Sequence, residues 1–392
     1  MIASIKKSYE HTIYASYLGY IVQAIVNNFA PLLFLTFASQ YDLSLDKITL
    51  ITTINFLVQL TVDFLSAKYI DKIGYRKAIM LAHVFSALGL AGLAVFPKIF
   101  PSAYAGILAA VCCYAVGGGI IEVLVSPIVE ACPTKKKEAA MSLLHSFYCW
   151  GHVAVVLVST GFFVLFGIGK WEILALIWAI VPFVNIFYFG LVPIYPIDGG
   201  HETLSLGNLL RQKVFWLLIV LMVCAGASEH AMSQWVSAFS ESVLGSKTIG
   251  DLVGPCAFAI CMGIARAFYG KYSEQIPLKK MMAGSAALCI VCYIIASISK
   301  SPVVGLLACA VCGFTVAIFW PGTFSMAAVA LPGGSTAMYA FMALAGDLGC
   351  SSGPTVVGMV ANAFRGDFRR GFLCALVFPV VMLIGISRLK EK

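Results

Sequence analysis

About a dozen apolar runs recur along the chain with short polar breaks between them. They lie near 12–37, 48–70, 78–96, 104–131, 140–166, 172–192, 214–240, 250–270, 282–299, 303–330, 336–361 and 371–388. Runs of this length match the ~20 helical residues needed to cross a hydrocarbon layer ~30 Å thick. Inside that layer every backbone polar group must be satisfied within the chain, which leaves helices or closed barrels. A barrel requires alternating segments of ~10 residues, whereas these runs are continuous. The chain is therefore expected to be an all-α membrane protein of about twelve spans. Composition agrees: 60% of residues are hydrophobic, 11% are charged and mean hydropathy is +0.94, against roughly 45–50% apolar and about 25% charged in soluble proteins.

Orientation follows from the connections. Lys68, Lys72, Arg76 and Lys77 follow the second run, Lys135 to Lys137 the fourth, and Arg388, Lys390 and Lys392 the last. The intervening connections are poorer in Lys and Arg, except for Arg365, Arg369 and Arg370. This bias predicts both termini in the cytoplasm of an inner (plasma) membrane. It also accounts for the net charge of +8 without a nucleic-acid partner, because no basic patch is interleaved with aromatics. The first run lacks a small-residue cleavage site and reads as a retained span. The longest polar connection, 193–213, separates an expected N-terminal bundle (1–192) from an expected C-terminal bundle (214–392). Two halves of equal span number are the layout of secondary transporters that bind their solute near the bilayer midplane.

Charges inside the runs narrow the function. Glu122 lies in an otherwise apolar stretch from Ile107 to Ile121, where a charge costs at least ~2.5 kcal/mol and is tolerated mainly beside water or a partner. Asp63 and Asp347 are two further buried acids, and with Glu122 they form the candidate set for proton coupling. Glu229, His230 and Gln234 fall mid-span, with 230 and 234 on one helical face. His145 and His152 share another face. Each of these can line a cavity or can serve as interhelical glue. Arg266 reads equally as an interfacial anchor or as a solute contact. Trp320 precedes Pro321, where a broken helix exposes backbone carbonyls. The thirteen cysteines, including Cys289-x-x-Cys292 and Cys309-x-x-Cys312, sit in apolar runs and read as core, so neither disulfides nor a metal is expected. No P-loop context surrounds Gly117 to Gly119, and no catalytic triad or ATP-binding segment is present. The chain is not expected to be an enzyme or to need a cofactor. Its energy must come from a gradient.

The connection Asp71-Lys72-Ile73-Gly74-Tyr75-Arg76-Lys77 resembles the signature loop of the major facilitator superfamily, a Gly-x-x-x-Asp-Arg-x-Gly-Arg-Arg pattern, with Ala67 at the first glycine and Tyr75 at the first paired arginine. By that resemblance Asp71, Gly74 and Arg76 form a conformational latch that does not touch solute. Gly117 to Pro127, Ser142 to Gly151, Phe319-Trp320-Pro321 and Gly353-Pro354 are similar to the fucose and glucose/galactose proton symporters of that superfamily. Those symporters place an Asp in the first span before a proline, whereas this chain has Asn27 and Asn28 before Pro31. His145 stands where those symporters tend to have Gln.

The resemblance implies proton-coupled uptake of a small hydrophilic solute, a monosaccharide or derivative, by a monomer using alternating access. Glu122 would exchange the proton, while Asn27, Asn28, His145, Glu229, His230, Gln234 and Trp320 would line the site. Amides and carboxylates suit hydroxyls, and indoles suit the apolar face of a ring. The alternative is a proton-coupled exporter of amphiphilic compounds, favoured by the 27 Phe and the missing first-span Asp.

Overall fold

Helix Leu45–Ile73 is built inside out. It exposes Phe56, Leu57, Phe64 and Leu65 by 45% to 60%, while Asn55, Gln59, Asp63 and Ser66 are 6% exposed or less. A helix in water would present the opposite faces, so the surroundings of this one are lipid. Phe183, Val184 and Phe187 repeat the pattern farther on, each more than half exposed.

The computed structural model describes residues 5–6, 8–43, 45–196, 204–236, 239, 247–273, 275–334, 336–365 and 367–389, and none of these is in a strand. In chain order the helices are α1 (Tyr9–Asn28), α2 (Phe34–Tyr41), α3 (Leu45–Ile73), α4 (Tyr75–Ile99), α5 (Ala103–Ala131), α6 (Lys137–Phe166), α7 (Trp171–Leu191) and α8 (Leu206–Arg211). They continue with α9 (Lys213–Ser233), α10 (Lys247–Tyr272), α11 (Leu278–Ile298), α12 (Pro302–Val316), α13 (Phe319–Ala330), α14 (Thr336–Ala363), α15 (Phe368–Ala375) and α16 (Val377–Arg388). Short 3₁₀ turns at Ala30–Leu33 and Ile168–Lys170 join α1 to α2 and lead into α7. With α1–α2, α12–α13 and α15–α16 each taken as one broken span, this is the expected twelve-span all-helical architecture.

Among the described residues, eight spans are long and apolar enough to cross a bilayer on composition alone: α4, α5, α6, α7, α9, α11, α12–α13 and α15–α16. The other four, α1, α3, α10 and α14, carry the polar side chains described below. Their lower hydropathy reflects an interior role. Helix starts are fixed by local chemistry at polar junctions: Ser8, Ser102 and Asp367 accept from backbone N–H groups two or three residues on, satisfying donors that the first turn leaves unpaired.

The chain forms two compact units, one of Met1–Thr134 and Trp150–Gly199, the other of Lys135–Cys149 and Gly200–Lys392. In the first unit α5 packs against α1, α3 and α4, and α7 packs on α4 and α1. In the second, α9 packs against α14 and α16, and α12 packs between α10 and α11.

Candidate transport sites

In the first unit α1, α3 and α5 bring four polar side chains into a string. Gln23 Nε2 donates to Glu122 Oε2 at 3.0 Å and lies 3.5 Å from Gln59 Oε1. Gln59 Nε2 donates to Asn27 Oδ1 at 2.8 Å. Helical spacing arranges this: 23 and 27 are one turn apart on α1, and 55, 59 and 63 are successive turns of one face of α3. The glutamines are buried, whereas the two ends of the string, Asn27 and Glu122, are half-buried. Gln23 Oε1 and Asn55 Oδ1 are buried acceptors with no hydrogen-bond donor among the described residues. Asp63 is fully buried one turn beyond Gln59.

Gly118 makes the approach possible. A Cβ there would stand 3.1 Å from Gln23 Oε1, 3.2 Å from Val26 and 3.6 Å from Gln59 Cδ. Its neighbour Gly119 admits Val62 of α3 in the same way, at 3.0 Å. Both glutamines reach the α5 face because that face has no side chain one turn before Glu122.

The second unit is organised by Arg266 of α10. Its Nε donates to Ala317 O at 2.8 Å, and its Nη1 donates to His145 O at 3.0 Å and contacts Cys149 Sγ at 2.8 Å. Its Nη2 meets Glu229 Oε2 at 3.4 Å. Ala317 lies four residues before Pro321, which has no N–H, so its carbonyl loses the usual helical donor and Arg266 replaces it. The break between α12 and α13 falls at this point. The Arg266 side chain is 4% exposed, which overturns the anchor reading: the guanidinium is spent inside the protein and does not snorkel to an interface.

His145 faces the same unit, its ring stacked on Phe324 at 6.1 Å, and Phe324 in turn stacks on Tyr339 at 5.6 Å. Trp320 is nearly buried, with its ring against Gly346, so that Asp347 follows directly after the packed glycine and is itself half-buried. His230 is half-buried, with Nδ1 lacking a hydrogen-bond partner among the described residues. Gln234 is exposed at the turn where α9 ends. Asn28 donates to Ala24 O at 2.9 Å, one turn back in its own helix. At the signature loop Gly74 has φ +88°, a conformation open to glycine. Arg76 Nη1 donates to Phe189 O at 2.8 Å and Gly190 O at 3.0 Å, occupying carbonyls of the last turn of α7. Asp71 accepts from the Tyr75 hydroxyl at 2.7 Å.

The sequence matches the Major Facilitator Superfamily over residues 16–354. The chain belongs to this superfamily. No curated protein matches its sequence. Its fold is similar to a crystal structure of the E. coli fucose:proton symporter FucP, with a TM-score of 0.82 at 16% identity over 98% of this chain and 100% of that one. The proton:xylose symporter XylE gives 0.78 at 14% identity over 97% and 95%. A human organic anion transporter, MFSD10, gives 0.74 at 14% identity over 97% and 99%. At these identities the likeness speaks for the major facilitator fold.

Within this major facilitator transporter the sequence reading found Glu122 and Asn27 but passed over Gln23 and Gln59. Neutral amides raise no alarm in an apolar run. The usable signal was the four-residue spacing of 23 with 27 and of 55 with 59 and 63.

Proposed function

We propose that the chain is a proton-coupled symporter for a small hydroxyl-bearing solute, a monosaccharide or derivative, with Glu122 as the proton-exchanging group. The observation that carries this reading is the 3.0 Å bond from Gln23 to Glu122, at the head of a string that continues through Gln59 to Asn27. An ionised carboxylate only accepts hydrogen bonds, and a protonated one also donates. When Glu122 takes a proton, its hydroxyl becomes a donor, and the unmatched Gln23 Oε1 beside it can accept if the amide turns its carbonyl toward the carboxyl. The two Gln23 donors then face the remaining polar groups. Proton binding therefore changes which partners a solute meets. The buried acceptors Gln23 Oε1 and Asn55 Oδ1 suit the O–H donors of a polyol. The chain would present these groups to one side of the membrane and then to the other by alternating access.

The test is uptake of labelled monosaccharides into proteoliposomes with and without an imposed pH gradient. Wild type should accumulate its solute down the proton gradient. Glu122→Gln should keep solute exchange between equal pools while its gradient-driven accumulation falls by about tenfold, the worth of one proton at a difference of one pH unit. Accumulation by the variant equal to that of wild type would refute the role of Glu122.

A further inference from the structure

We propose that Glu229 is a second proton-exchanging carboxyl, so that each solute moves with two protons. The inference rests on the symporter reading above and adds a stoichiometry to it. Glu229 and Arg266 are held very differently. Arg266 is fixed by two main-chain carbonyls and the Cys149 sulfur, whereas Glu229 has one hydrogen-bond partner among the described residues, Arg266 Nη2 at 3.4 Å. That is well beyond the ~2.7–2.9 Å of a strong charge-assisted bond, and the Glu229 side chain remains 12% exposed. The cation is locked and its carboxylate is loosely held. Protonation removes the carboxylate from the pair while leaving every main-chain bond of Arg266 in place, so a proton is taken up without dismantling the helix break at Ala317.

The other titratable groups beside the Glu229–Arg266 pair are His145 and Cys149 on α6, reached through Arg266, and His230 on α9 itself. Tyr293 on α11 is a further one, its hydroxyl donating to Ser228 O at 2.7 Å. None of these makes a hydrogen bond to the Glu229 carboxylate. Because Arg266 supplies the bond, protonating Glu229 leaves a buried positive charge that favours an incoming acceptor-rich solute at that point. Proton and solute then bind in concert.

The experiment is a static-head measurement in proteoliposomes at zero membrane potential, using a transported monosaccharide across a range of pH gradients. Two protons predict that a gradient of one pH unit supports about hundredfold accumulation, and one proton about tenfold. Wild type should follow the steeper dependence. Glu229→Gln should fall to the shallower one. A wild-type dependence of one proton overturns the inference and leaves Glu122 in its role. A Glu229→Gln variant that keeps the two-proton dependence also overturns it, because the second proton would then be carried elsewhere. No gradient-driven accumulation by wild type defeats the underlying symporter reading. The wild-type slope needs no variant to fold.

Discussion

Gly118 has as large a part in the first unit's cluster as the side chains it admits. A methyl at that position would press on Gln23 Oε1 and Val26, in a site already packed by three helices. Overpacking of this kind costs about 1–3 kcal/mol. Gly118→Val should therefore lower the thermal midpoint of the purified protein and abolish solute exchange, while Gly161→Val, where nothing lies within 4 Å of the added atom, should do neither. Gln23→Leu probes the other side of the contact. It removes the donor to Glu122 and should leave exchange measurable but shift its pH profile; an unchanged profile would show that the amide does not feel the carboxyl's charge. At this scale the sequence was partly legible. A carboxylate in an apolar run is conspicuous because its desolvation is costly, whereas an amide costs less and hides. Of the two readings open for Arg266, the anchor failed because distance from the end of α10 was weighed and its helical face was not.

Helix breaks belong to the next scale, and two of them were written in proline. Pro31 marks the end of α1 and the 3₁₀ turn that follows, and Pro321 separates α12 from α13. The break after Ser233 was not legible: the apolar run continues toward residue 240, no proline interrupts it, and yet α9 stops and Gln234 and Trp235 form a turn. Trp235 Nε1 donates to Pro354 O at 2.9 Å across to α14, a tertiary contact that periodicity cannot report. Among these, the α12–α13 break has the most specific consequence. Pro321→Ala returns an N–H within the first turn of α13, where the ring itself is tolerated, and so gives the Ala317 carbonyl back a helical donor that can close the break. The variant should melt at a higher temperature and transport more slowly, because Arg266 then competes with a helical donor for its acceptor. A stabilised variant with undiminished transport would show that the break has no part in the cycle.

The inverted burial of α3, with Phe56 and Phe64 outward and Gln59 and Asp63 inward, has a counterpart elsewhere: apolar residues such as Phe183 and Phe187 also face outward, while the interior combines an apolar core with a minority of buried polar groups. Span number and class were therefore legible from hydropathy, since the solvent that a helix faces determines which residues it exposes. Sidedness can be read from Lys and Arg in the connections. Reporter fusions after residue 74 and after residue 392 should behave as cytoplasmic and a fusion after residue 100 as external; the reverse pattern would invert the assignment of inside and outside. The groups that hold Arg266 have a further implication for how such a molecule diversifies. Two of its acceptors, at positions 145 and 317, are peptide oxygens, which every amino acid supplies alike. The imidazole of residue 145 can be exchanged for another side chain while the guanidinium keeps its seat, so that position can vary without unseating the positive charge beneath it.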